Sequence, residues 1–193
     1  MLANPTTINF QRAFTMLEVL ITIIILSFGM LGLASLQAKI RLSEAESYQR
    51  SQAVLLLKDM LDRMSANRVN GPSYLTGSTN LGTDDTRPSD CTSVSGVVGK
   101  DICEWSNALR GTAETNSGTN AGAMIDARGC IEEIQAVNST TGICRPGVYR
   151  VTVAWQGLNP TVAPSLGCGR DLYGDERVRR AVSAVITIGL PKC

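Results

Sequence analysis

Histidine is absent from the 193 residues, and with it the commonest general base, the triads built on that base, and the usual nitrogen ligand for zinc. Cys-x-x-Cys spacing is missing as well, so the six cysteines do not read as a metal site. Charge of one sign is not in excess: the formal net charge is +1, and no basic stripe points to nucleic acid. No proline lies between Pro5 and Pro72, and no glycine between Gly32 and Gly71. Nothing in that interval breaks a helix.

What fills the interval is a long apolar run. Phe14 to Leu36 carries one charge, Glu18, and Val19 to Leu36 is uncharged throughout. As a helix rising about 1.5 Å per residue it is long enough to cross a hydrocarbon core of about 30 Å. A carboxylate inside such a helix costs on the order of 2.5–3.5 kcal/mol even on mild insertion scales, so it calls for a partner. Cleavage between Ala13 and Phe14 would supply one. The new amine on Phe14 would lie one helical turn from Glu18, on the same face, and could meet its own Glu18 or that of a neighbouring chain. Two rivals are an ordinary signal peptide cut after Ala34, whose apolar core would be too long, and an uncleaved anchor, which leaves Glu18 unexplained.

The residues Arg12-Ala13-Phe14-Thr15-Met16-Leu17-Glu18 ahead of an apolar helix resemble the leader and mature start of type IV pilins and the pseudopilins of type II secretion. Ile25 to Gln37 resembles the version in PilV-type minor pilins, as do Tyr149 to Trp155 and the pair Asp101 and Trp105. One departure stands out: Ala13 occupies the position where the family usually has glycine. The resemblance implies removal of residues 1–13 by a prepilin peptidase, N-methylation of Phe14, and Glu18 as the assembly charge. It implies a structural subunit and not an enzyme, with no cofactor. Its site would be the inner membrane, with a periplasmic domain, and later a surface pilus. The partners implied are the peptidase, membrane lipid, an inner-membrane assembly platform, the major pilin, other minor pilins and a tip adhesin. Nucleic acid is not among them. Competing readings are a pseudopilin of a secretion or competence system and a membrane-anchored periplasmic enzyme or binding protein.

Beyond the membrane half, taken as 14–38, an amphipathic half is expected over 39–70. Ala53, Leu56, Leu57, Met60, Leu61 and Met64 share one arc, and Lys58–Asp62 and Asp59–Arg63 have i,i+4 spacing on the other side. Asn70-Gly71-Pro72 should end it. Residues 71–128 read as a polar connection with one short helix to about Arg110, capped by Asp101 and Glu104. Asp84, Asp85 and Asp90 lack calcium-loop spacing and read as a solvated turn. Residues 129–193 read as an antiparallel sheet. Tyr149, Val151, Val153 and Trp155 alternate as in a half-buried strand, and Val182, Ala184, Ile186 and Ile188 alternate similarly. Cys130 to Val137 is a weaker strand. Arg177, Arg179 and Arg180 read as a solvated strand entrance, for which the family resemblance implies a place near neighbouring subunits. The sequon Asn138-Ser139-Thr140 reads as unmodified in a chain with a bacterial-type leader.

All six cysteines, Cys91, Cys103, Cys130, Cys144, Cys168 and Cys193, follow the apolar run, as disulfides on the oxidising side of a membrane would. Fifteen pairings are open. The expectation is sequential: Cys91–Cys103, Cys130–Cys144 and Cys168–Cys193. The whole is expected to be an α+β protein with a type IV pilin-like architecture, its long amino-terminal helix packed on a small carboxy-terminal antiparallel sheet.

Overall fold

A computed structural model describes residues 15–189, apart from 113, 114, 118, 121, 123 and 141. The chain divides into two compact units, Met1–Ser43 and Glu44–Cys193. Helix α1, Met16–Ala66, supplies the described part of the first and opens the second. In the first unit every described side chain of the helix is exposed, including Met16, Phe28, Leu31 and Leu33.

The second unit is an α+β domain. It continues with β1 (Leu81–Gly82), α2 (Val97–Leu109), a small ribbon of β2 (Thr115–Asn116) and β3 (Thr119–Asn120), then β4 (Ile125–Gln135), β5 (Gly147–Gln156) and β6 (Arg179–Ile188). The main sheet is antiparallel in the order β1-β4-β5-β6. Ala53, Leu57, Met60 and Met64 of α1 are buried against it, with Leu56 and Leu61 partly buried, so the expected arc is the packing face. The sheet supplies Ile131, Tyr149, Val151, Val153, Trp155 and Ile188 to the same core, and α2 supplies Trp105 and Leu109. Burying side chains of this size contributes about 1.5–3 kcal/mol each. Trp105 is fully buried and donates its indole N–H to the Leu56 carbonyl at 2.8 Å, which fastens α2 to α1. Its ring leaves no room at Gly129: a Cβ there would lie 2.4 Å from the Trp105 ring.

Several expectations are corrected. Helix α2 begins at Val97, before Asp101, so Asp101 and Glu104 are not its caps; they sit three residues apart on one helix face and both reach Arg63. The sheet starts at Ile125 and takes its short edge strand from Leu81–Gly82, inside the expected connection. No ion pair joins Lys58 and Asp62, whereas Arg63 and Asp59 meet at 3.1 Å. Strand β5 is not half-buried, because Thr152 and Ala154 on its second face are covered as well.

The cover on that second face is the long connection between β5 and β6, and it changes the disulfides. Cys91–Cys103 forms as expected, but Cys130 bonds Cys168, not Cys144. Register explains why. Cys130 lies opposite Thr152, whereas Cys144 lies next to Arg145, which pairs with Asn138 at the far end of the hairpin. Eight residues of mostly extended chain, Cys130 to Asn138, at about 3.3 Å each separate the two levels by roughly 25 Å, far beyond the reach of about 7 Å between bonded Cα atoms. The connection instead folds back over β4 and β5 and brings Cys168 against Cys130, Ala154 and Ala181. Cys144 is disulfide-bonded too, and Cys193 lies outside the described residues.

The Cys130–Cys168 bond closes a loop of sequence separation 38. Replacing both cysteines by serine is expected to cost 2–4 kcal/mol, typical of a bond that restricts the unfolded chain. Thermal unfolding followed by fluorescence of the two buried tryptophans, Trp105 and Trp155, measures it.

Candidate functional site

Two places carry chemistry: the start of α1 and the charged clusters that shape the surface of the second unit. At the helix start, Glu18 N–H donates to the Thr15 carbonyl at 3.0 Å and to Thr15 Oγ1 at 3.3 Å. Thr15 therefore sits as a cap, and Glu18 falls in the first turn, where a negative charge meets the positive end of the helix dipole. The Glu18 side chain has no hydrogen bond or ion pair among the described residues. Two other polar side chains of the apolar run, Thr22 and Ser27, are satisfied within the helix. Thr22 Oγ1 donates to the Val19 carbonyl at 2.8 Å and Ser27 Oγ to the Ile23 carbonyl at 2.7 Å. Glu18 is thus the one charged group between Met16 and Ala38. The residues expected to complete the site, the Ala13/Phe14 cleavage point and the Phe14 amine, lie outside the described residues.

Gly29 and Gly32 sit within α1 with no neighbour within 4 Å of where a Cβ would stand, so no packing among the described residues requires them. Each weakens the helix by about 1 kcal/mol relative to alanine. They are the intrinsically weakest positions of the apolar half, and no proline accompanies them.

In the second unit, Arg63 gathers Asp59 (3.1 Å), Asp101 (3.1 Å) and Glu104 (2.6 Å), and Tyr74 donates to the second oxygen of Asp101 at 2.5 Å. Burial, then the bond to Asp101, pushes the Tyr74 phenol up to about 12. A raised phenol value means that the folded state prefers the protonated form. The stabilisation is therefore complete below the ordinary tyrosine value near 10 and is lost as pH rises from there towards 12. Burial raises the phenols of Tyr149 and Tyr173 as well, so ultraviolet titration of the folded chain should show several tyrosines ionising late, and Tyr74→Phe should remove the one that ionises near 12.

Asp84, Asp85 and Asp90 do not converge on a cation site. Asp84 pairs with the buried Arg128, Asp85 accepts from Arg87 and Ser106, and Asp90 accepts from the Thr92 N–H. Burial works against the Asp85 charge, but the Ser106 hydroxyl and the Arg87 guanidinium outweigh it and hold the acid below the usual carboxylate range. Among the described residues no cluster of acidic and cysteine side chains has a metal-binding arrangement.

Arg179 was expected in solvent and is buried. Its guanidinium donates to the carbonyls of Pro164 (3.0 Å), Leu166 (2.7 Å) and Cys168 (3.0 Å) and to Glu176 (2.7 Å). The connection over β5 has little regular structure, so its carbonyls need donors, and one forked guanidinium supplies them. Arg128 works beside it, with its guanidinium 5.4 Å from the Tyr173 ring centre. Arg180 reaches Glu46 of α1 at 3.3 Å, and the same Glu46 oxygen accepts from the N–H groups of Leu158 and Asn159 at 3.2 Å. Arg177 alone of the three arginines is solvated, paired with Asp175 at 2.8 Å. Nothing in their spacing distinguishes the buried arginine from its neighbours.

Residues 8–34 match the prokaryotic N-terminal methylation motif. Comparison with curated proteins and with solved structures returns no match. The motif supports a type IV pilin-like protein, pilin or pseudopilin, and implies processing by a prepilin peptidase and assembly with other pilins. A helix long and apolar enough to cross a membrane and a four-stranded antiparallel sheet agree with that fold.

Proposed function

We propose that this chain is a minor pilin of a type IV pilus, a structural subunit that helps to start assembly near the tip and supports adhesion and twitching motility. The observation that carries the reading is one carboxylate, Glu18, with no partner among the described residues, in the first turn of an exposed apolar helix and inside a methylation motif. Cleavage between Ala13 and Phe14 and methylation of the new amine would provide the counter-charge. The subunit would wait in the inner membrane, with Glu44–Cys193 in the periplasm, where disulfides such as Cys91–Cys103 and Cys130–Cys168 persist. It would enter the filament through its helix, meeting the assembly platform, the major pilin, other minor pilins and a tip adhesin.

Mass spectrometry of the amino terminus in sheared surface filaments tests this. The expected species begins at N-methylated Phe14; one that begins at Met1 or Ser35 overturns the reading. A pseudopilin of type II secretion or a competence system would share that terminus. Deletion separates the two: loss of twitching is expected for the pilus subunit, and loss of secretion or of DNA uptake for the others.

A further inference from the structure

Strand β6 is the open edge of the main sheet and lacks the devices that normally protect such an edge. It is ten residues long, Arg179–Ile188, and pairs with β5 without a register shift, whereas β4 pairs with β5 through two. From Ala181 to Ile188 it contains no charge, no proline and no glycine. The β5–β6 connection shields only the entrance: Thr161 N–H donates to the Arg177 carbonyl at 2.7 Å, and the cover ends there.

The direction of the free groups follows from the ladder. Gly157 N–H donates to the Val178 carbonyl at 2.8 Å, one step beyond the Gln156–Arg179 pair. In an antiparallel ladder hydrogen-bonded pairs alternate, so Arg180, Val182, Ala184, Ile186 and Ile188 bond back to β5. Ala181, Ser183, Val185 and Thr187 turn their N–H and C=O groups outward, where none has a protein partner among the described residues. Meanwhile Val182, Ala184 and Ile186, which face the core, are only partly buried. The edge therefore offers main-chain donors and acceptors at every second residue beside an apolar row that is incompletely covered.

We infer that β6 receives an extended, uncharged segment of another polypeptide as an added strand, paired along Ala181–Thr187, with alternate apolar side chains lying beside Val182, Ala184 and Ile186. Outward main-chain groups at two-residue spacing fit an extended chain and not a helix. A second copy of this chain is the poorer occupant. Antiparallel pairing of two β6 edges requires a two-fold axis normal to the sheet. Such an axis reverses the α1 segment packed on that sheet, so the two chains would run towards their amino termini in opposite directions, although both are anchored in one membrane. The inference rests on that anchor and on the sheet, and holds for a pilin or a pseudopilin alike.

Benzoylphenylalanine placed at Ser183, Val185 or Thr187 of the full-length chain, one position at a time in the cells that make it, tests the inference after irradiation and peptide mapping. Expected are links to one segment of a different polypeptide, with linked residues stepping by two as the probe does. Val185→Pro removes an outward N–H and leaves the β5 ladder intact, and Val185→Lys puts a charge on the edge with the backbone unchanged. Both should abolish linking from Thr187, with the tryptophan-detected melting point of the Val185→Lys protein unchanged. Ala184→Pro, which breaks a β5 bond, should lower that melting point. Links to this chain's own β6, links without the two-residue step, or no links at any of the three positions overturn the inference.

Discussion

Glu18→Leu is expected to leave the protein in the membrane while cutting its recovery in sheared filaments by about a hundredfold. Removing a carboxylate from the apolar run lowers the cost of insertion by on the order of 2.5–3.5 kcal/mol, so anchoring does not suffer. In a filament core the same change would strand the amine of a neighbouring subunit. Breaking a buried pair by deleting one partner costs about 3–5 kcal/mol, or about two to four orders of magnitude in an assembly equilibrium. A second role for Glu18 predicts a different size of effect. An acid in the first turn of a helix, as Glu18 is here, contributes only 0.3–1 kcal/mol through the helix dipole, a factor of about five at most. Immunoblots of the membrane and sheared fractions distinguish the two: a hundredfold fall supports pairing, and a fall of fivefold or less leaves Glu18 as a helix-start charge. Glu18→Gln keeps a hydrogen-bonding side chain without the charge and should lie close to leucine if charge is what matters.

What could be read in advance depended on whether the signal was local. The stripe of Ala53, Leu57, Met60 and Met64 repeats at helical spacing and is the face that packs. The alternation of Tyr149, Val151, Val153 and Trp155 gives the central strand, and Cys91 and Cys103 are near enough in sequence to find each other. Where the outcome depended on the path of a distant segment, the same reasoning failed. Cys168 meets Cys130 because the β5–β6 connection turns back over the sheet, a route no spacing encodes. Asp101 and Glu104 look like a capping pair because caps and helix faces share the i,i+3 interval; the presence of Arg63 on α1 decides between them. The start of β4 was hidden for a backbone reason. Asp126 has a positive φ of 58°, and the register shifts between Ile125 and Arg128, so the two-residue alternation is interrupted where the strand begins. The long apolar helix and its single acid were legible because apolar length and one misplaced charge need no tertiary context.

The other large effect is expected at Arg179. Arg179→Met keeps most of the stem and removes the guanidinium. That leaves the carbonyls of Pro164, Leu166 and Cys168 without their donor and Glu176 without its partner. Loss of one member of such a buried charged cluster costs about 3–5 kcal/mol, a large fraction of the stability of a domain of this size. Arg179→Lys should recover little, because one ammonium cannot span three carbonyls and a carboxylate that a planar fork reaches at once. The connection between β5 and β6 should loosen first, read as faster amide exchange over 164–176 in the full chain, with Cys168 still tethered to Cys130. A pH arm isolates the ion pair. The hydrogen bond from Arg179 is the main reason that the Glu176 carboxyl lies below its usual range. A depressed carboxyl value stabilises the folded state above the ordinary range and ceases to do so as pH falls through the folded value. The melting point of the unaltered protein should therefore drop on acidification, and Glu176→Gln should remove part of that slope. A connection whose exchange is unchanged in Arg179→Met would mean that the disulfide alone holds it, and that the buried guanidinium fills space without organising the loop.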